Sequence, residues 1–76
     1  MSNVAIITGA GSGFGLGLAK KLLNEDWIVY GADISPGGLA LLKSIGALPL
    51  KVNVTSDSQV AAGVKKVIKE QGRIDV

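Results

Sequence analysis

The sequence contains no cysteine and no histidine. These absences exclude disulfide frameworks, thiolate nucleophiles, Cys/His zinc clusters and imidazole general bases. Aromatic residues are also scarce, with one Trp, one Tyr and one Phe. We therefore predict no metal site in this chain, and no chemistry that depends on a thiol or an imidazole.

The charge balance is close to neutral, with eight Lys or Arg residues against six Asp or Glu residues and a net charge of +2. The lysines are spread without a dense run or interleaved aromatic residues, so no nucleic-acid partner is expected. No apolar run is long enough to span a membrane, and the amino terminus lacks the regions of a signal peptide. These absences predict a cytoplasmic protein that makes no membrane contact.

Apolar residues and glycine are what the chain does have: 47% of its 76 residues are hydrophobic and eleven are glycine. A chain of this length is one domain at most, and it buries only about 60% of the surface that its unfolded form exposes. Its apolar content nevertheless excludes a disordered tail.

Short apolar runs alternate with helix-like segments. Strands are predicted at 3–8, 27–33 and 48–54, and "RIDV" at the end of the sequence begins a fourth. A first helix is predicted from Gly13 to about residue 25, with apolar residues at helical spacing.

Start and stop residues mark two later helices. Ser35 and Pro36 are the expected N-cap and first residue of the second helix, although glycines at its next two positions weaken the first turn. Ser56 and Gln59 match a capping box at the start of the third helix, and Gly72 is expected to end it.

The predicted order β-α-β-α-β-α-(β) indicates the α/β class, with a parallel sheet and helices on both faces. Right-handed crossovers make it the first half of a doubly wound (Rossmann) fold, with strands in the order 3-2-1-4. We expect residues 1–76 to be a partial dinucleotide-binding domain that is truncated at the start of its fourth strand.

The segment "TGAGSGFG" (8–15) lies between the first strand and the first helix. Free N–H groups and the positive end of the helix dipole can bind a phosphate there, and glycine leaves no side chain in the way. The P-loop pattern is absent, and GxGxxG fails because Phe14 occupies its last position. The pattern present is Thr8-Gly9-x-x-x-Gly13-x-Gly15, for which a turn without a ligand is the alternative.

This TGxxxGxG pattern resembles the cofactor loop of the short-chain dehydrogenase/reductase family, and the resemblance covers essentially the whole chain. It implies that Gly9 makes the turn and that the backbone of Ser12, Gly13 and Phe14 lies along the ribose and pyrophosphate of a dinucleotide. It also implies that Ser12 Oγ binds the adenosine ribose and that Gly15 lets the helix pack closely.

Asp33 closes the second strand, 18 residues after Gly15. A carboxylate there can accept hydrogen bonds from the adenosine ribose hydroxyls, and it repels a 2′-phosphate. Members of the family that prefer NADP commonly carry a basic residue at positions where this chain has Ser12 and Ile34. We therefore expect NAD to be preferred over NADP. A cap on the following turn is the alternative role of Asp33.

Asn53 and Val54 follow the third strand, where the family usually has an Asp-Val pair. The resemblance implies that Asn53 accepts a hydrogen bond from the adenine amino group and that the Val54 N–H donates to the ring. Asn keeps the acceptor oxygen but not the charge, and a plain turn residue is the alternative.

Three further residues are assigned to packing. Tyr30 is followed four residues later by Ile34 rather than Lys, so the catalytic YxxxK of the family is not formed and Tyr30 is expected in the core. Trp27 is expected to cover a helix end, with a partner surface as the alternative. Gly17 is expected to pack tightly within the first helix.

No counterpart of the family's catalytic Ser, Tyr and Lys occurs in this chain, so no catalytic residue is assigned and the chain alone is expected to be inactive. The favoured function is the NAD(H)-binding amino-terminal segment of such an oxidoreductase, which binds the adenosine half of the cofactor. The alternatives are a stand-alone module that binds adenine nucleotides or assembles with a partner, and a folded remnant without a ligand.

Assembly is predicted from the short fourth strand. With so few residues in it, the first strand lacks a pairing partner along one side, and an unpaired strand edge is a template for another chain. We therefore expect a homo-oligomer that is joined through the edge of the first strand.

Overall fold

The computed structural model describes residues 3–11 and 13–75, which form three strands and three helices in alternation. The elements in chain order are β1 (Val4–Thr8), α1 (Gly13–Asn24), β2 (Ile28–Asp33), α2 (Pro36–Ser44), β3 (Leu48–Lys51) and α3 (Asp57–Gln71). This order confirms the predicted α/β class and the three predicted helices. None of the helices in these ranges is both long and apolar enough to cross a membrane.

The described strands form one parallel sheet in the order β1-β2-β3. Val4 lies opposite Ile28, and Tyr30 lies opposite Leu48. Because the strands are parallel, their carboxyl ends lie along the same edge of the sheet. The order of these strands agrees with the predicted 3-2-1 arrangement.

Helices α1 and α2 cover one face of the sheet, and α3 covers the other. Successive residues of a strand point to opposite faces, so Val29 packs on the side of α1 and α2 while Tyr30 packs on the side of α3. The chain therefore changes faces after β3. The buried residues on the first side are Ile7, Ala10, Ala19, Val29, Leu42 and Ala47. Those on the second side are Val4, Tyr30, Ala32, Leu50, Val52 and Val67.

The apolar stripe of α3 is only partly covered. Val67 is fully buried, whereas Val60, Val64 and Ile68 are 38%, 37% and 50% exposed. Val60 and Val64 line a narrow apolar cleft together with Ile6 of β1. Val67 packs against the sheet, whereas the amino-terminal half of the stripe leaves this cleft open between the helix and the sheet.

Helix α2 begins at the predicted residues. Ser35 is its N-cap, and its hydroxyl accepts the Gly38 N–H at 3.4 Å. Pro36 occupies the first turn, where a missing N–H removes no helical hydrogen bond.

Helix α3 is capped by Ser56, whose hydroxyl accepts the Gln59 N–H at 3.4 Å. The Gln59 side chain does not return this bond, because its Oε1 accepts the N–H of Asn53 at 2.8 Å. The predicted capping box is therefore half formed, and Gln59 fastens the preceding loop instead. Gly72 ends the helix as predicted, with a φ of 78° and its N–H donated to the Ile68 carbonyl.

Strand β3 ends at Lys51, before the predicted end at residue 54. The Val52 N–H still donates to the Asp33 carbonyl at 3.1 Å. Beyond it the chain turns at Asn53, whose Oδ1 accepts both the N–H and the hydroxyl of Thr55, at 3.0 and 2.6 Å. This side-chain turn competes with the strand ladder and stops it.

Trp27 lies just before β2 rather than within it. Its N–H donates to the Leu22 carbonyl at 3.0 Å, and its half-buried side chain packs against the buried cluster on the side of α1 and α2. The helix-end role of Trp27, and the alternative of a partner surface, stay predictions.

The expected fourth strand is not formed by Arg73–Asp75, the part of "RIDV" that the structure describes. This segment pairs with a single residue of β1: the Asp75 N–H donates to the Val4 carbonyl at 2.8 Å, and Asp75 Oδ2 accepts the Val4 N–H at 2.8 Å. Arg73 holds the same carboxylate through hydrogen bonds of 2.6 and 3.0 Å. Because a side chain fills the place of a backbone acceptor, the pairing is not that of a strand ladder.

Candidate functional site

The loops after β1, β2 and β3 enclose an open cleft of about 210 Å³ at the carboxyl edge of the sheet. Four of the predicted site residues line it: Gly9 after β1, Asp33 at the end of β2, and Asn53 and Val54 after β3. They meet because parallel strands deliver their following loops to one edge. The structure therefore brings together residues that are far apart in the sequence.

The turn after β1 has a bare backbone. Gly9 and Gly13 have φ angles of 61° and 56°, a region that favours glycine. At both positions a Cβ atom would meet no described atom within 4 Å. The turn leads directly into the amino terminus of α1, so its surface fits the approach of a phosphate group.

Gly15 stands where α1 crosses the turn. A Cβ at this position would lie 2.6 Å from the Gly9 carbonyl oxygen and 3.0 Å from Ala10 Cα. Only glycine allows this approach, which keeps the start of α1 against the loop. Ser12, the remaining loop residue that the sequence singles out, lies outside the described residues.

Gly17 and Phe14 face outward on α1. A Cβ at Gly17 would have open space around it among the described residues, so the expectation of tight packing there is wrong. The Phe14 side chain is 88% exposed. The assignment of Phe14 to the site concerns its backbone, and nothing in the position of its ring tests that assignment.

Asp33 connects two loops of the site. Its Oδ2 accepts the Gly11 N–H at 2.9 Å, and its Oδ1 accepts the N–H groups of Ile34 and Ser35 at 2.7 and 3.0 Å. The Ser35 N–H, aided by those of Gly11 and Ile34, holds the pKa of the Asp33 carboxyl below its ordinary value, although partial burial acts in the opposite direction. The cap on the following turn is therefore present, together with a bond to the glycine loop.

Gly11 and Gly38 are functional candidates that the sequence reasoning missed. Gly38 lies in the first turn of α2, and a Cβ there would lie 2.8 Å from Asp33 Oδ2 and 3.0 Å from Gly11 Cα. A Cβ on Gly11 would also collide with Asp33 and with Gly38. Glycine in the first turn of a helix lowers helix stability, so its presence at position 38 indicates a close contact that a side chain would block. That was the signal in the sequence that could have identified Gly38.

Asn53 is engaged locally. Its side-chain oxygen accepts two bonds from Thr55, and its carbonyl accepts the Ser56 N–H at 2.9 Å. The turn role, which the sequence leaves as the alternative, is thus present in the structure. Val54 beside it is 52% exposed and lines the cleft.

Tyr30 lies away from the cleft, buried on the α3 side as predicted. Its hydroxyl donates to Glu70 Oε1 at 2.6 Å and accepts from Gln71 Nε2 at 3.0 Å. Burial, followed by the bond to Glu70, raises the pKa of this phenol above its ordinary value. These bonds make Tyr30 a structural link between β2 and α3.

The family model described as short chain dehydrogenase matches residues 3–76 of the chain. Among curated proteins, the chain is 40% identical over 74 residues to the 3-ketodihydrosphingosine reductase of Bacteroides thetaiotaomicron. The aligned region covers 96% of this chain and 26% of that protein. It is also 40% identical over 79 residues to the 3-oxoacyl-[acyl-carrier-protein] reductase FabG of Thermotoga maritima, covering 96% of this chain and 32% of that protein.

Solved structures have the same fold. The 3-ketoacyl-(acyl-carrier-protein) reductase from Brucella melitensis, complexed with NADH, superposes with a TM-score of 0.88 at 34% identity and covers 96% of this chain. A short chain dehydrogenase/reductase from Burkholderia phymatum, in complex with NAD, superposes with a TM-score of 0.89 at 32% identity and the same coverage. The chain spans 31% and 28% of these two proteins, which is about the share that it spans of its curated relatives.

Proposed function

The chain belongs to the short-chain dehydrogenase family, and we propose that it is the segment of an oxidoreductase that binds the adenosine half of NAD(H). The observation that supports this most directly is the cleft at the carboxyl edge of the sheet, where Gly9, Asp33, Asn53 and Val54 meet. The two solved relatives that hold NADH or NAD support the choice of cofactor.

The size of the cleft supports a ligand smaller than a whole dinucleotide. Its volume of about 210 Å³ is below the ~300–1,000 Å³ of pockets that enclose a whole drug-sized ligand. In this proposal the bare turn from Gly9 to Gly13, with the backbone of Ser12 and Phe14, faces the pyrophosphate. Asp33 faces the ribose, and the Asn53-Val54 loop faces the adenine. Gly15 holds α1 against the turn.

Calorimetric titration of the 76-residue chain tests this assignment. NAD, ADP-ribose and AMP should bind within about tenfold of one another, or 1.4 kcal/mol, because each contains the half that the site recognises. Nicotinamide mononucleotide is the control and should not bind measurably. A preference for NAD over ADP-ribose well beyond tenfold would contradict the proposal.

The preference for NAD over NADP is proposed from Asp33. Its carboxylate repels a 2′-phosphate, and Ile34 beside it offers no positive charge. Three of the roughly four lone-pair positions of a carboxylate are taken by Gly11, Ile34 and Ser35. Among the described residues this leaves one position, on Oδ2, and we propose that one ribose hydroxyl donates there.

Substitution of Asp33 together with Ile34 tests the preference for NAD over NADP. In a full-length enzyme that contains this segment, Asp33→Ala with Ile34→Arg should move the ratio of kcat/KM values toward NADP, because repulsion is removed and a phosphate partner is added. Ile34→Ala alone is the control and should leave the ratio nearly unchanged. An unaltered ratio in the double variant would remove Asp33 from the ribose site.

Hydride transfer is not part of the function proposed for this segment alone. The Tyr30 hydroxyl is bonded to Glu70 and lies outside the cleft, so it does not replace the family's catalytic tyrosine. The 76-residue chain should therefore show no ketone-dependent oxidation of NADH, and measurable turnover would contradict this.

The cytoplasmic location also stays a prediction, which microscopy of a fluorescent fusion tests.

Self-assembly is a second candidate property. The Asn3 carbonyl accepts a bond from β2, whereas the N–H and carbonyl of Val4 both bond to Asp75 on the other side of β1. Successive residues of a strand direct their backbone groups to alternate sides, so the N–H and carbonyl groups of Ile6 and Thr8 also point away from β2. An edge of this kind, beside the partly exposed Val60 and Val64, suits pairing with a second copy. Analytical ultracentrifugation at micromolar concentration should detect a dimer or higher oligomer, and a cooperative monomer would contradict this.

A further inference from the structure

We propose that Gly38 is a positioning residue for cofactor selectivity, because its lack of a side chain lets the Asp33 carboxylate rest on the glycine loop at Gly11. The inference deepens the proposed nucleotide site and rests on it. It links the first turn of α2, an element outside the cleft lining, to the choice between an unmodified and a 2′-phosphorylated adenosine ribose.

The geometry leaves room for no side chain at this contact. Asp33 Oδ2 lies between the loop and the helix and accepts the Gly11 N–H at 2.9 Å. A Cβ on Gly38 would lie 2.8 Å from that oxygen and 3.2 Å from Asp33 Cγ. It would also lie 3.0 Å from Gly11 Cα. A methyl group at Gly38 would therefore displace the carboxylate, the loop or both.

Displacement of the carboxylate changes the part of Asp33 that faces the ribose. Oδ1 is occupied by the Ile34 and Ser35 N–H groups, so the oxygen that the described residues leave for a ligand is Oδ2. That oxygen is the one that Gly11 and Gly38 fix in place. Moving Oδ2 weakens its bond to a ribose hydroxyl, which lowers the affinity for an unmodified ribose. The same movement lessens the repulsion of a 2′-phosphate, which raises the affinity for a 2′-phosphorylated ribose.

Gly38→Ala is expected to fold. Gly38 lies within α2 and is not among the glycines with positive φ. In such a position alanine is the better helix former, which offsets part of the contact strain. Gly37 provides a matched control in the same turn, because among the described atoms a Cβ there would meet only the Ser35 hydroxyl, at 3.7 Å.

The first readout needs no ligand. In two-dimensional ¹⁵N–¹H NMR spectra of the 76-residue chain, the amide chemical shifts of Gly11 should change with pH as Asp33 titrates. The midpoint of this change should lie below the ordinary pKa of aspartate. Gly38→Ala should raise this midpoint and reduce the change at Gly11, while Gly37→Ala should leave both as they are. A Gly11 amide that ignores the titration in the unmodified chain would overturn the proposal, whatever the variants do.

The second readout uses ADP-ribose and 2′-phospho-ADP-ribose as probes in calorimetry. Gly38→Ala should reduce the preference for ADP-ribose by about tenfold, and Gly37→Ala should change it less than twofold. Equal loss of affinity for both probes, with an unchanged Gly11 titration, would show a general effect of the helix and overturn the proposal. So would a changed Gly11 titration with an unchanged preference.

The two readouts separate this inference from the proposed function. If the unmodified chain binds neither probe, the nucleotide assignment fails, and the selectivity role of Gly38 fails with it. The NMR titration then still decides whether Gly38 positions the Asp33 carboxylate. If the chain binds ADP-ribose and Gly38→Ala leaves both readouts unmoved, the proposed function stands and the role of Gly38 is wrong.

Discussion

The hydroxyl of Tyr30 donates to Glu70 at 2.6 Å and thereby ties the central strand to the last turns of α3. Tyr30→Phe removes this bond and the one from Gln71, with little change in buried apolar surface. We expect it to lower the free energy of unfolding by about 1 kcal/mol, the usual net value of such a bond. Urea denaturation measures the change. Glu70→Gln, which keeps an acceptor oxygen, should lose less, and a Tyr30→Phe variant of full stability would contradict the link.

The same tyrosine should make the protein sensitive to alkali. Burial and the bond to Glu70 raise the pKa of Tyr30 above its ordinary value of 10.0. The folded state therefore keeps the phenol proton longer than the unfolded state does. The stability that this group contributes is complete below about pH 10 and is lost as the pH rises through the raised value. The chain has one tyrosine, so ultraviolet absorbance during an alkaline titration reports Tyr30 alone. Equal midpoints in water and in denaturing urea would contradict this prediction.

Gly15 and Gly17 form a matched pair on α1. A methyl group at Gly15 would press on the Gly9 carbonyl, whereas one at Gly17 would meet no atom of the described residues within 4 Å. Gly15→Ala should therefore lower the free energy of unfolding by roughly 1–3 kcal/mol. Gly17→Ala should raise it by about 0.5–1 kcal/mol, because alanine is the better helix former. Chemical denaturation of both variants tests the pair, and a stabilised Gly15→Ala variant would show that α1 does not need this approach.

Acid should weaken the site through Asp33. Its pKa is held below the ordinary value of 3.8, first by the Ser35 N–H and then by those of Gly11 and Ile34. A lowered pKa means that the stability from this carboxylate is complete above about pH 4 and is lost as the pH falls through the lowered value. The stability difference between the unmodified chain and Asp33→Asn should therefore shrink below about pH 4. Asp57→Asn, at an exposed aspartate in the first turn of α3, is the control for the loss of one carboxylate. A difference that stays constant through this range would contradict the prediction.

Asp75 should matter more for stability than its exposed position suggests. Its carboxylate accepts the N–H of the buried Val4, and Arg73, followed by that N–H, lowers the pKa of Asp75. Asp75→Ala leaves the Val4 N–H without its acceptor and should lower stability. Asp75→Asn keeps an acceptor and should lower it less. Urea denaturation, together with hydrogen exchange at the Val4 amide, measures the effect. Val4 exchange that is equally slow in Asp75→Ala would contradict it.

Local patterns in the sequence were enough to predict the alternating elements, the caps at Ser35 and Ser56, and the helix-ending Gly72. The carboxyl end of β3, and the lack of a fourth strand in the described residues, were not predictable in this way. They depend on a side-chain turn at Asn53 and on a side-chain bond between Asp75 and Val4, which spans 71 residues. Spacing likewise indicated the glycines of the loop, but not Gly38. Its role depends on contact with Gly11, and hydrophobic periodicity contains no information about that contact.

The connections between the parallel strands favour one order of folding. The β1–β2 pair closes a loop that contains only α1, and the β2–β3 pair one that contains only α2. The Val4–Asp75 contact must instead bring together residues 71 apart, which is entropically more costly and typical of late events. We therefore expect the turn from Gly9 to Gly15 to take shape in an early-forming unit, with the docking of α3 and Asp75 following it. The turn that we propose to face the phosphate would then form before the loop that we propose to face the adenine.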